Sequence, residues 1–237
     1  MRLIELVFRE INVVLVHTGI AVPAVSLDRV RAVRPSANMQ VGLGPNLLNL
    51  AYPEERMGAQ IDGQRVTATE SGGGLPEASP IVDLALALHS AVGSPSGTAF
   101  GYNYRFDFQV ENVPNPGSLL MDGAVRDPSA IAACLHTDAM HVGLKLMYRR
   151  GSKMWMFLME PVVAATDRLM VHANVHEDLR QPAPQQPGEQ APAWLQGGAL
   201  GSVDAGFPSA ETMRADFARH ALLTLETATS LLSLGAR

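Results

Sequence analysis

Residues 100–110, FGYNYRFDFQV, alternate strictly between two kinds of side chain. Every second position is aromatic or aliphatic, and the positions between them include Asn103, Arg105 and Asp107. Because neighbouring side chains of a β-strand point to opposite faces, the pattern predicts a strand with one apolar and one polar face. Such a strand needs neighbours in a sheet, and its apolar face needs a second layer of structure to cover it.

Similar patterns predict further strands before and after this one. They cover residues 3–16, 141–150, 153–162 and 168–177, and the two arms on either side of Asp62-Gly63. The Asp-Gly pair predicts a hairpin, because it adopts the positive φ angles that a two-residue hairpin turn requires. Gly151-Ser152 is a similarly short connection, so the strands on either side of it are expected to pair antiparallel.

Three helices are predicted from the residues that begin them. These residues are Ser79-Pro80, Asp127-Pro128 and Ser209. Serine and aspartate accept hydrogen bonds from the free amides of a first turn, and proline fits the first helical position. The sequence therefore predicts an α+β fold, in which a largely antiparallel sheet is packed by two short helices and a long C-terminal helix.

The predicted organisation is an α+β body, a connector and a terminal helix. The body covers residues 1–180, and its two groups of strands suggest similar halves at about 1–115 and 116–180. Residues 181–208 are rich in Pro, Gln and Gly, which predicts an extended connector. The helix over 209–235 is expected to pack on the body or on a partner subunit.

Composition excludes several classes of protein. The chain has 237 residues, of which 47% are hydrophobic, and this argues against disorder. Its net charge of −5 is not the basic balance typical of nucleic-acid binders. The single cysteine, Cys134, excludes a disulfide scaffold, and its apolar neighbours predict a buried thiol. Charges interrupt residues 1–22 and no long apolar run follows, so we expect no signal peptide, no membrane span and a cytoplasmic protein.

The sequence lacks the short motifs that mark common catalytic or cofactor sites, such as a P-loop, GxGxxG, GxSxG, CxxC or HExxH. Its best chemical candidate is VHANVHED, in which His172, Asn174 and His176 share one face of a strand. His172 and His176 would lie about 13 Å apart along that strand, which is too far for one metal ion. We therefore expect no cofactor and no metal site.

The polar side chains of three predicted strands share one face if those strands belong to one sheet. This predicted polar face consists of Asn103, Arg105, His141, Lys145, Arg149, His172, Asn174 and His176. It is either the solvated outer side of the sheet or a binding surface. The predicted partner-docking residues are Trp194, Leu195 and Phe217.

The methionines of the second half present a similar choice between core and binding surface. They are Met147, Met154, Met156, Met159 and Met170. Because Trp155, Phe157 and Leu158 share their segment, these methionines are expected to fill the core.

Three functions are compatible with these patterns. The one we favour is a non-catalytic protein-interaction or assembly subunit of a larger bacterial-type complex, which binds a protein partner or a second copy of the chain. The second is an enzyme with a histidine-containing polar site on the sheet face, used for metal-assisted or acid/base hydrolysis. The third is a nucleic-acid-binding accessory protein, against which the acidic net charge argues. Its binding residues would be Arg105, Lys145, Arg149 and Arg150.

Overall fold

The computed structural model of the chain describes residues 1–135, 141–180 and 206–236. These residues form a nine-stranded antiparallel sheet and five α-helices, which confirms the predicted α+β class and the long C-terminal helix. The strands are β1 (Leu3–His17), β2 (Gln40–Gly44), β3 (Leu47–Tyr52), β4 (Met57–Asp62), β5 (Arg65–Ser71), β6 (Gly97–Val110), β7 (Leu144–Arg150), β8 (Lys153–Val162) and β9 (Ala165–Asp178). The helices are α1 (Leu27–Val33), α2 (Ile81–Ala91), α3 (Gly117–Ala124), α4 (Pro128–Leu135) and α5 (Ala210–Gly235).

The strands lie in the order β2-β3-β4-β5-β1-β6-β9-β8-β7, so the long strands β1 and β6 pair at the centre of the sheet. The Asp62-Gly63 hairpin joins β4 to β5 as predicted. The Asp62 carboxylate accepts hydrogen bonds from the backbone amides of Gln64 and Arg65 at 2.7 and 2.8 Å, which fixes the turn. The short Gly151-Ser152 turn likewise joins β7 to β8 as an antiparallel pair.

The order of elements along the chain repeats itself. A long strand, a helical segment, an antiparallel group of strands and a helix occur first as β1, α1, β2–β5 and α2. The same order then recurs as β6, α3 with α4, β7–β9 and α5. The second round begins at Gly97 and includes α5. The predicted division into halves near residue 115 stays a prediction.

Aromatic side chains of β6 form the centre of the core and contact α5. The hydroxyl of Tyr104 donates to the Phe217 carbonyl at 2.6 Å, and that of Tyr102 donates to the Met213 carbonyl at 3.4 Å. Phe217 is only 1% exposed and stacks on Tyr104. The long helix therefore packs on the sheet, and Phe217 lies in the core and not on a docking surface. We call the sheet face that α2, α3 and α5 cover the inner face.

Two helices, α1 and α3, were not predicted. Helix α1 begins at its cap Ser26 and buries only Val30, so its apolar stripe is too short to recognise. Helix α3 crosses the last turn of α5, where a Cβ on Gly235 would collide with the Leu119 carbonyl and one on Gly123 would lie 3.1 Å from the Gly235 amide. The two glycines permit this close approach.

None of the helices within the described ranges is long and apolar enough to cross a membrane.

Helix α4 corrects one expectation. Asp127 caps it as predicted, since the Asp127 carboxylate accepts from the Ala130 amide at 2.9 Å. Cys134, however, is exposed, and Ile131 on the same helix is 41% exposed. Ile131 and Cys134 are therefore not packed against the rest of the described protein, and the prediction of a buried thiol was wrong.

Candidate functional site

The sheet face opposite the inner face, which we call the outer face, is not covered by α1, α2, α3 or α5. Helices α2, α3 and α5 pack on the inner face, and α1 packs on α2. Strand alternation sends the aromatic residues of the sheet inward, where Tyr102, Phe106 and Trp155 are buried. The outer face is therefore built from the other residue of each alternating pair.

Strand register aligns the outer side chains in rows that cross neighbouring strands at intervals of about 4.8 Å. The central row, from β7 to β5, is Met147, Met156, Asn174, Asn103, Asn12 and Thr69. The row on one side is Lys145, Leu158, His172, Arg105 and Glu10, and the row on the other is Arg149, Met154, His176 and Gly101. The structure thus brings together the predicted polar-face residues of β6, β7 and β9. His141 is exposed but precedes β7, outside the rows.

Three asparagines form a hydrogen-bonded chain across β9, β6 and β1, which we call the asparagine ladder. The Asn174 amide donates to the Asn103 carbonyl oxygen, and the Asn103 amide donates to that of Asn12. Asn12 in turn donates to the Glu10 carboxylate at 3.3 Å. Each amide in the chain is oriented by its neighbours, so the ladder presents fixed donors and acceptors at the middle of the outer face.

A shallow depression of about 250 Å³ lies along the ladder. Its lining includes Glu10, Arg105, His172 and Met156 together with the asparagines. The lining contains no hydroxyl or thiol nucleophile apart from Tyr104, whose hydroxyl is bonded to α5 on the inner face. The depression therefore offers hydrogen bonds and charge to a ligand through its asparagines, Glu10, Arg105 and His172.

An ion-pair network closes one end of the outer face. Asp107 accepts hydrogen bonds from Arg9 and from Arg168, whose Nε lies 2.7 Å away, and Arg168 also contacts Glu5 at 3.1 Å. Burial alone would raise the pKa of Asp107, but the two guanidinium groups outweigh it and lower that pKa. Asp107 is thus held ionised, and both of its carboxylate oxygens accept hydrogen bonds from arginines. This indicates a structural role at the junction of β1, β6 and β9.

The outer face also carries the residues that sequence reasoning misplaced. Met147 is 68% exposed, and Met154, Met156 and Met170 are half-buried beside Leu158. We call these five residues the methionine patch. Only Met159, which points inward with Trp155 and Phe157, fills the core as expected. Strand β8 is apolar on both faces, so its composition could not show which face the helices cover.

The two strand histidines lie on the outer face, one on each side of the asparagine ladder. Burial lowers the pKa of His172, and the positive charge of Arg105 lowers it further. Burial also lowers the pKa of His176. His172 and His176 lie in different rows on either side of Asn174, and no group of three metal-ligating side chains occurs within the described residues. Both imidazoles are therefore neutral hydrogen-bonding groups near neutral pH.

Two predicted docking residues, Trp194 and Leu195, lie outside the described residues.

Comparison of the chain with models of known protein families and with curated protein sequences gives no match. The outer face is therefore the feature from which a function can be inferred.

Proposed function

We propose that the protein is a non-catalytic interaction subunit that binds another protein through the methionine patch and the asparagine ladder. The single observation that supports this most is the methionine patch. Its residues line the face of β7, β8 and β9 that α1, α2, α3 and α5 do not cover, and Met147 is 68% exposed. Unbranched thioether side chains adapt to irregular surfaces, and contiguous exposed apolar patches commonly mark interaction sites.

The ladder supports the same proposal. Neighbours hold the Asn103 amide in place, so it does not need to be ordered again when a partner binds. An apolar patch beside fixed polar groups is the arrangement found at protein interfaces, where apolar contacts supply affinity and hydrogen bonds supply specificity. The partner is either another subunit of a larger cytoplasmic assembly of bacterial type or a second copy of this chain.

The experiment is affinity capture from the native host with the tagged full-length chain and two variants. Met147→Glu places a charge in the methionine patch. Leu43→Glu is the matched control, because Leu43 is 66% exposed and lies on the edge strand β2, away from the patch. Since both residues are exposed, neither change is expected to alter the free energy of unfolding by more than about 0.5 kcal/mol.

We expect a stoichiometric partner, or a second copy, to be retained by the wild type and by Leu43→Glu and to be lost by Met147→Glu. Retention of the same protein by all three chains would place the interface elsewhere. Elution of the wild-type chain alone and as a monomer would contradict the proposed function.

A further inference from the structure

We infer that the partner segment is an amphipathic helix whose apolar stripe is flanked on both sides by acidic residues. This inference rests on the proposed function and specifies the chemistry of the partner. It comes from two properties of the methionine patch, its width and the sign of the charges along its borders.

The width of the patch matches one helix. The patch occupies the adjacent strands β7, β8 and β9, and it is longest along β8, where Met154, Met156 and Leu158 follow one another. Two intervals between strands give a width of about 10 Å, close to the diameter of about 10–12 Å of a helix with its side chains. A single helix lying along β8 would cover the patch and leave its borders at the helix flanks.

A cationic side chain stands directly beside the patch on each of its long sides. On β7, Lys145 and Arg149 stand on either side of Met147, and all three face outward. On the opposite side, beyond β9, stands the exposed Arg105, and Glu10 of β1 follows it in the same row. Neither Lys145 nor Arg105 forms a salt bridge with a carboxylate of the described residues. Glu160, opposite Met170, is the acidic residue at one end of the patch.

These charges favour a partner with acidic flanks, because opposite potentials across an interface steer association and exclude wrongly charged segments. The same cations raise the alternative of single-stranded nucleic acid. Such ligands are bound by stacking of their bases on exposed aromatic rings. The Phe, Tyr and Trp side chains of the described strands face inward. Leu158 and His172 stand between Lys145 and Arg105, and the thioethers of Met147 and Met156 form the adjacent row. The outer face is therefore better suited to an apolar helix than to bases.

The probes are two synthetic helical peptides, each about four turns long. Both carry the same leucine stripe, flanked by glutamates in one and by lysines in the other. Each is titrated against the full-length chain and against the double variant Lys145→Glu/Arg105→Glu, with fluorescence anisotropy as the readout, at about 0.05 M and about 0.5 M salt. A single-stranded oligonucleotide serves as a third probe, and Met156→Gln tests the apolar contact.

We expect the glutamate-flanked peptide to bind the wild type about tenfold more tightly than the lysine-flanked one, and the charge-reversed variant to invert this preference. High salt should reduce the preference, and Met156→Gln should weaken both peptides. If the two peptides bind with equal affinity and charge reversal changes nothing, the inference of a partner helix with acidic flanks is wrong, while the proposed function remains intact. If only the oligonucleotide binds, and Met156→Gln does not weaken its binding, the partner is a nucleic acid and not a protein helix.

Failure of the proposed function has a different signature. If no peptide binds but the affinity capture still loses its partner with Met147→Glu, the partner is a protein of other chemistry. If no peptide binds and the capture retains nothing, the outer face is not an interaction surface, and both proposals fall.

Discussion

Asn103 is the residue on which the asparagine ladder depends, because it donates to Asn12 and accepts from Asn174. The change Asn103→Asp removes the donor, leaves the Asn12 oxygen without its partner and adds a charge to a half-buried site. We expect the free energy of unfolding to fall by about 1–2 kcal/mol, measured by urea titration near neutral pH. The control is Asn49→Asp on β3, where the side chain is exposed. Equal losses in the two variants would mean that the ladder adds nothing to stability.

His17 gives the fold a pH dependence of definite sign. It is 3% exposed and stacks on His89 with ring centroids 5.1 Å apart. Burial and the charge of His89 lower its pKa from 6.5 to about 4. The unfolded chain therefore takes up a proton at higher pH than the folded chain does. Stability falls as the pH drops through the window between these two values, by about 2–3 kcal/mol from this residue.

The measurement is urea unfolding at about pH 7 and at about pH 4.5. His17→Gln should reduce the difference between the two free energies of unfolding, while the exposed His141→Gln should leave it unchanged. A His17→Gln chain with the full wild-type pH dependence would show that the other histidines, such as His89 and His220, cause it.

The sequence located the polar residues of the outer face but not its apolar ones. Asn103, His172 and Asn174 were predicted to share a face, because each alternates with an apolar residue along one strand. Met154 and Met156 alternate with Trp155 and Phe157, so both faces of β8 look like core. Only the position of the helices distinguishes them, and helix placement depends on contacts between distant segments. The methionine patch therefore became visible in the folded chain alone.

Helix α5 is the element whose role the sequence left open, and its packing makes a clear prediction. Phe217 is 1% exposed on α5, whereas Leu222 on the same helix is 51% exposed. Phe217→Ala removes a ring that contacts Tyr102 and Tyr104, and we expect it to lower the free energy of unfolding by about 3–5 kcal/mol. Leu222→Ala is the control, with a change within about 0.5 kcal/mol.

Thermal unfolding monitored by circular dichroism compares the two variants directly. If the two melting temperatures fall together, the helix is not anchored by its buried stripe. If Phe217→Ala proves insoluble, Phe217→Leu keeps most of the buried volume and should show a smaller loss in the same direction.

The elements that the sequence predicted have strong local signals at their ends. Asp62-Gly63, Asp127-Pro128 and Ser209 each fix a few backbone groups without help from the rest of the chain. Helix α3 has no such signal, since it begins after two prolines in a segment that looks like a turn. Its Gly123 is favourable because α5 crosses the helix there, and this is tertiary information.

At the scale of the whole molecule, the two rounds of elements share one core. Strands β1 and β6 pair along most of their length, and one continuous hydrophobic cluster contains residues such as Leu48 from β3 and Phe157 from β8. We therefore expect a single cooperative unfolding transition. In a Trp194→Phe background, Trp155 is the only tryptophan, and its fluorescence reports on β8. The unfolding midpoint measured by this fluorescence should coincide with the midpoint measured by circular dichroism. Two separate midpoints would show that the chain unfolds as two independent units.

The strand order could not be read from the sequence. Local patterns specify hairpins such as β4–β5 and β7–β8, in which neighbours in sequence are neighbours in the sheet. The pairing of β1 with β6 joins segments that no turn connects, and it depends on burying both apolar faces against the same helices.

The central position of β1 has a consequence for folding during synthesis of the chain. This strand is synthesised before the other eight described strands, yet its partner β6 follows roughly 80–100 residues later, which corresponds to about 4–20 s of translation. Until then one edge of β1 has unsatisfied amides and carbonyls, open to pairing with strands of other nascent chains. The nascent chain is most prone to misassembly in this interval, when the middle of its future sheet is still an edge.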